Sequence, residues 1–242
     1  MSGHSKWSQI KRQKGTADIK RGQAFTKIGS LITVAVREGG GVADPDGNFR
    51  LRLTIEKARQ ANMPKENIER AIERGKKSAK EGGLEEVIFE GYGPGGVAVL
   101  VEAATDNHQR ITTELKNIFE HSGGNLTGPG SVSFQFEKVG QITVLLKDKP
   151  KEEIMLSLID EGAKDIEEAG DSILVYTKPE DLMIVKEKII QARLEVESFE
   201  LVMKPKTTIG ITDRKLAQKV LDFMENLEEV EDVQKVYANF RN

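Results

Sequence analysis

The chain has no cysteine, one tryptophan, three histidines and only 5% aromatic residues. Without cysteine there are no disulfides, no thiolate metal sites and no cysteine nucleophile, which fits a reducing compartment. The histidines, His4, His108 and His121, form no H-E-x-x-H pattern and have no thiolate partners, so no zinc set is expected. No apolar run reaches the roughly 18 residues that a membrane span needs. The positive charges at the N-terminus are followed by no apolar stretch, as a secretory signal would require. A transit peptide is disfavoured because Gly3 to Lys14 lacks an apolar face. A soluble, cytoplasmic protein is expected. Its 242 residues, 38% of them hydrophobic, suffice for one large domain or two to three small ones.

Acids are also scarce at one end. Residues 1–80 hold 18 Lys+Arg against 8 Asp+Glu, a net of +10. Residues 81–242 hold 18 against 31, a net of −13, so the whole-chain charge of −3 conceals a polarised molecule. The opening run carries Lys6, Lys11, Arg12, Lys14, Lys20, Arg21 and Lys27 against one acid, Asp18. A small cationic excess is ordinary solvated surface, but one of this size points to a polyanion. Neutralising several phosphates releases counterions and yields salt-dependent affinity. Arg50, Arg52, Arg59, Arg70 and Arg74 extend the basic patch over the next two helices. Trp7, inside the run, has two readings: a ring that stacks on a base or sugar, or a hydrophobic anchor that ties the arm to the helices.

Residues 1–15 show no hydrophobic period and read as an extended arm. After Thr16, Phe25, Ile28, Leu31, Ile32 and Ala35 recur at three- and four-residue spacing, predicting a helix to Glu38 that the Gly39–Gly41 run ends. Asp44 to Gly47 is a turn. A second helix is expected over 49–61 with Leu51, Ile55 and Ala58 buried. A third follows Pro64 to Arg74, with Gly75 as its stop. The polar stretch 76–85 reads as the first domain boundary. Strands are then expected over 87–92 and 97–104, with Asp106 capping a helix through Phe119. A loop at 125–130 and a strand of alternating Val132, Phe134 and Phe136 follow. From Gly140 to Val202 the order strand–helix–strand–strand–helix–strand is the split βαβ, ferredoxin-like motif. The tail adds a helix over 213–227 and a strand over 233–237. The fold class is therefore multi-domain α and α+β: an N-terminal three-helix bundle and two ferredoxin-like α+β domains, the third inserted in the second. The expected boundaries are 1–80, 81–139 with 203–242, and 140–202.

Gly91 to Gly96 satisfies G-x-G-x-x-G, but a β-rich stretch follows it where a dinucleotide site needs a helix N-terminus. A hairpin turn is expected instead. The 125–130 loop lacks a P-loop lysine and reads as a mobile connection. Asp106, His108 and Ser122 have no nucleophile elbow to make them a triad, and His108 reads as a polar first-turn residue. Paired carboxylates such as Glu152-Glu153 fall on solvent faces. No catalytic residue, metal site, cofactor or small-molecule substrate is expected. An enzyme built on the Gly91–Gly96 loop would betray itself by binding a mononucleotide.

Several motifs together carry a resemblance. They are GHSKW at 3–7, KRGQAFTK at 20–27, REGGG at 37–41, NMPKENIERAIERG at 62–75, EGYGPGG at 90–96, SGGNL at 122–126, GSV at 130–132 and DVQKVYAN at 232–239. In this order, over nearly the whole chain, the sequence resembles the YebC/PmpR family. The resemblance implies three domains, no enzyme activity, and a cytoplasmic regulator: a DNA-binding transcriptional regulator, or a translation activator that meets ribosomal or transfer RNA at the ribosome. Against the first stands the lack of a helix-turn-helix spacing that presents base-reading side chains.

Overall fold

The computed structural model describes the backbone of residues 17–81, 83–146 and 151–241, and the side chains of these residues apart from 17–21 and 78–81. These residues form two compact units. One runs up to Ser131 and includes Lys219–Val236; the other is Val132–Gln218 with the residues from Tyr237.

In the first unit, helices α1 (Ala17–Glu38), α2 (Phe49–Gln60) and α3 (Lys65–Glu81) share one core. Ile28, Ile32, Ala35 and Val36 of α1 meet Leu51, Ile55 and Ala58 of α2 and Ile68 and Ala71 of α3. The expected stripe understates α1, because Thr33 and Val34 are buried as well. Thr33 Oγ1 donates to the carbonyls of Gly29 (2.9 Å) and Ala71 (3.1 Å), which satisfies the hydroxyl inside the core. Asn48 joins α1 to α2: its Oδ1 accepts from Leu51 N as the N-cap of α2, and its Nδ2 donates to Ala35 O at 2.8 Å.

The third helix corrects the sequence reading. It does not stop at Gly75 but continues to Glu81 through the stretch read as a boundary. Gly75 faces α1, and a Cβ there would lie 2.7 Å from Val36 Cβ and 2.8 Å from Thr33 O. It is a glycine of close helix approach, not a terminator.

The same unit holds a sheet of order β3-β1-β2-β9. Strands β1 (Glu85–Tyr92) and β2 (Ala98–Thr105) form an antiparallel hairpin whose turn holds the Gly91–Gly96 motif, as expected. Helix α4 (His108–His121) is capped by Asn107, whose side chain accepts from Arg110 N, and not by Asp106. The 125–130 loop also departs from expectation, since Asn125–Thr127 forms edge strand β3. The rest of that loop is pinned: Gly130 N donates to the buried Glu90 carboxylate at 2.8 Å, and Tyr92 OH to Ser131 O at 3.2 Å. Helix α7 (Arg214–Glu229) brings Phe223 edge-on to Phe119, with ring centroids 4.9 Å apart. Strand β9 (Val233–Ala238) closes the sheet beside β2.

The second unit holds β4 (Phe136–Leu145), α5 (Lys151–Asp160), β5 (Asp165–Ala169), β6 (Ser172–Thr177), α6 (Leu182–Gln191) and β7 (Glu195–Pro205). Its antiparallel order β5-β6-β4-β7 is that of the split βαβ motif. Both sheets set a central antiparallel pair between outer strands that each follow a helix. This sheet also lies in the chain between β3 and β9 of the other. Strand β4 passes through positions 139 and 140 without a break. The expected strand 132–136 is not formed: Ser133–Gln135 is a 3-10 turn that leaves Phe134 65% exposed. Short β8 (Ile209–Gly210) and β10 (Phe240–Arg241), unforeseen, pair in parallel.

Lys204 ties β7 to β5. Its ammonium lies 2.5 Å from Asp165 Oδ2 and 3.1 Å from Glu167 Oε1, and 3.7 Å from the centre of the Tyr176 ring. Partial burial pushes the Asp165 carboxyl up, but the hydrogen bond and charge of Lys204 outweigh it and hold the group below its ordinary value.

Three outcomes are expected. Gly75→Ala should destabilise the bundle by about 1–2 kcal/mol, overpacking outweighing helix propensity. Gly22→Ala, where a Cβ meets nothing within 4 Å, should stabilise it by up to ~1 kcal/mol; hydrogen exchange of α1 amides reads both. Because the folded value of Asp165 is depressed, its stabilisation is present above the unfolded value of about 3.9 and lost as pH falls through the folded one. Asp165→Asn should therefore flatten the acid limb of stability in the second unit, and an unaltered limb would remove Lys204–Asp165 as its source.

Candidate nucleic-acid interface

The structure sorts the basic residues by what already engages them. Lys6, Trp7, Lys11, Arg12 and Lys14 lie outside the described residues. Lys20 and Arg21 lie on the first turns of α1, with their side chains outside the description. Lys27 Nζ donates to Glu228 O at 2.7 Å, a cation on the last carbonyls of α7. Arg50 bridges Glu38 and Glu86, the latter at 2.5 Å, so its charge is matched between α1, α2 and β1. Arg52 lies over the Phe49 ring at 5.6 Å, and its Nε is buried without a hydrogen-bond partner.

Arg59, Arg70 and Arg74 are exposed. Among the described residues, Arg59 and Arg74 stand in no ion pair. Arg70 is oriented by its own helix: Nε donates to Glu66 O at 3.4 Å and a terminal nitrogen to Asn67 Oδ1. Arg70 and Arg74 are one turn apart and edge a groove of about 400 Å³ between α1 and α3. The structure thus brings these two arginines together on α3, while Arg52 and Arg59 lie on α2 and line no part of the groove.

The groove itself escaped the sequence reading. Its walls include Phe25 and Met63, and Gly22 and Gly29 of α1. The two glycines are seven residues apart, two turns on one helix face, and their missing side chains leave the recess. That spacing was the available signal. The outer face of α3 is of mixed sign, with Glu66, Glu69 and Glu73 interleaved among Arg70, Arg74 and Lys77.

No other chemistry gathers among the described residues. His108 and Ser122 stand at opposite ends of α4, about 20 Å apart by helical rise. Among the described residues, no group of three His, Asp or Glu side chains is placed to hold a metal, and no helix is long and apolar enough to cross a membrane.

Comparison with known proteins covers nearly the whole chain. Residues 5–78 match a family model described as the TACO1/YebC protein N-terminal domain, and 84–240 one described as the TACO1/YebC second and third domain. A protein of Chloroflexus aurantiacus is 49% identical over 242 residues, covering 99% of this chain and 95% of its own. One of Syntrophomonas wolfei is 45% identical over 242 residues, covering 99% and 96%. Both bear the name "Probable transcriptional regulatory protein". The crystal structure of a conserved hypothetical protein from Aquifex aeolicus superposes with a TM-score of 0.85 at 44% identity, over 93% of this chain and 91% of that one.

The sorting of cations has a measurable consequence. Arg50→Ala should cost up to ~1 kcal/mol of stability and leave the salt dependence of nucleic-acid binding unaltered. Arg74→Ala should leave stability intact and reduce the slope of log Kobs against log salt by about one. Equal slopes for the two variants would overturn this division.

Proposed function

The chain belongs to the TACO1/YebC family, and on that premise we propose that it is a non-enzymatic regulator of gene expression that binds nucleic acid through its basic N-terminal third. One observation carries the reading: a net of +10 on residues 1–80 against −13 on the remainder, with Arg59, Arg70 and Arg74 exposed on the bundle. Lys6, Lys11, Arg12, Lys14, Lys20 and Arg21 form the core of the phosphate clamp, and Trp7 accompanies them, while Lys27 is taken up by the Glu228 carbonyl. The acidic bodies, divided as 81–139 with 203–242 and 140–202, orient that clamp and repel other approaches by polyanions. The protein works in the cytoplasm, without a cofactor.

The names of the relatives favour a DNA-binding transcriptional regulator. A second reading, a ribosome-associated translation factor on ribosomal or transfer RNA, draws support from α3. A recognition helix lies in the major groove between phosphate walls. There, Glu66, Glu69 and Glu73 would face phosphates and oppose binding. A helix of mixed sign suits contact with irregular RNA, where shape and unpaired bases are recognised.

Alanine at Lys11, Arg12 and Lys14 together should weaken binding and lower the salt slope by about one per lost phosphate contact; an unchanged slope would remove the arm from the interface. Sedimentation of native lysate at low and high salt, with sequencing of crosslinked nucleic acid, separates the targets. Discrete promoter DNA would identify the transcriptional regulator, ribosomal or transfer RNA the translation factor. Recovery of neither would refute the nucleic-acid reading.

A further inference from the structure

The groove between α1 and α3 differs from a plain basic patch in having an apolar wall. Phe25 is only partly buried and packs with its inner side on the bundle core, as Met63 does more deeply. Both line the groove beside Asn67, with Arg70 and Arg74 on the edge. A volume of about 400 Å³ falls within the ~300–1,000 Å³ of small-molecule sites, room for one base and its sugar. A Cβ at Gly22 would meet nothing within 4 Å, and one at Gly29 only the Met63 methyl at 3.8 Å, so the recess is open along α1.

We propose that this groove takes one unstacked nucleotide of a single-stranded nucleic acid, its base against Phe25 and Met63 and its flanking phosphates on Arg70 and Arg74. The inference rests on the nucleic-acid reading and adds the substrate class: unpaired strand rather than duplex. Chemistry and charge agree on the occupant. A partly exposed aromatic ring and a thioether offer contact to any base without reading its identity. Two guanidiniums one helical turn apart suit successive phosphates. Arg70 is held in place by Glu66 O and Asn67 Oδ1, so less of its freedom is lost on binding. A duplex, with its bases stacked inside, could use only the arginines.

The test compares a single-stranded oligonucleotide with an abasic strand of the same length and charge, using the full chain. Wild-type protein should bind the base-bearing strand about tenfold more tightly, the effect of one stacked base. Gly22→Leu plugs the groove, keeps every cation and replaces a glycine by a better helix former. It should abolish the preference and leave the salt slope as it was. Arg70→Ala with Arg74→Ala should weaken both strands and lower the slope by about 1.4, as expected for two phosphate contacts on a single strand. Equal wild-type affinity for the two strands, with a steep salt slope, would overturn the groove proposal and spare the basic-surface reading. Failure to bind either strand would overturn both. Trp7, the sole tryptophan, reports the rival occupant. A shift of its emission by Gly22→Leu without nucleic acid would assign the groove to the protein's own arm and overturn the proposal.

Discussion

The first unit depends on how closely α1 is enclosed. Between Ile32 and Val36 every side chain is buried, which no amphipathic helix achieves against a single neighbour. Gly75 lets α3 approach until backbone and side chain touch, and the Thr33 hydroxyl joins the two helices across that contact. At the exposed end of the same helix, Arg37 donates to the carbonyls of Gly83 (3.1 Å) and Leu84 (2.7 Å), just before β1. Lys27 reaches the end of α7. One helix thus serves as the inner wall of the bundle and as the fastening point for the sheet beside it.

That arrangement decides which cations remain available. A basic residue that fastens one element to another has exchanged its solvent shell for a protein partner, and Lys27 and Arg50 have done so. Arg59, Arg70 and Arg74 fasten nothing of that kind, since the bonds of Arg70 stay within its own helix. Net charge therefore overstates the working surface, and two of the cations left over, Arg70 and Arg74, stand where two glycines thin the helix wall.

Much of the fold was legible because periodicity reports burial directly. The three helices, the hairpin around Gly91–Gly96 and the split βαβ order all follow from apolar spacing and turn residues. Two of the errors fell on glycine and aromatic residues whose local pattern misled. Gly75 read as a stop because its partner, Thr33, lies 42 residues earlier. Val132, Phe134 and Phe136 alternate, but a 3-10 turn rotates Phe134 outward and the alternation never becomes a strand. The basic residues were visible as a population. Their division into engaged and free was not, because Glu86 and the carbonyl of Glu228 approach them only through the tertiary fold. The groove was hidden for the same reason, being defined by missing side chains.

The order of strands has a consequence for how the chain is made. The partner of β2 on its outer edge is β9, and Ala104 N donates to Asp232 O at 2.8 Å. Phe223, against which Gly93 packs within 2.7 Å of a would-be Cβ, also follows the interposed sheet in the chain. During synthesis from the N-terminus, the bundle and all four strands of the interposed sheet emerge before either piece exists. For that interval β2 presents an unpaired, apolar edge of the kind that recruits other strands. The first sheet to begin thus stays open until β9, beyond the whole of the interposed sheet, has been made.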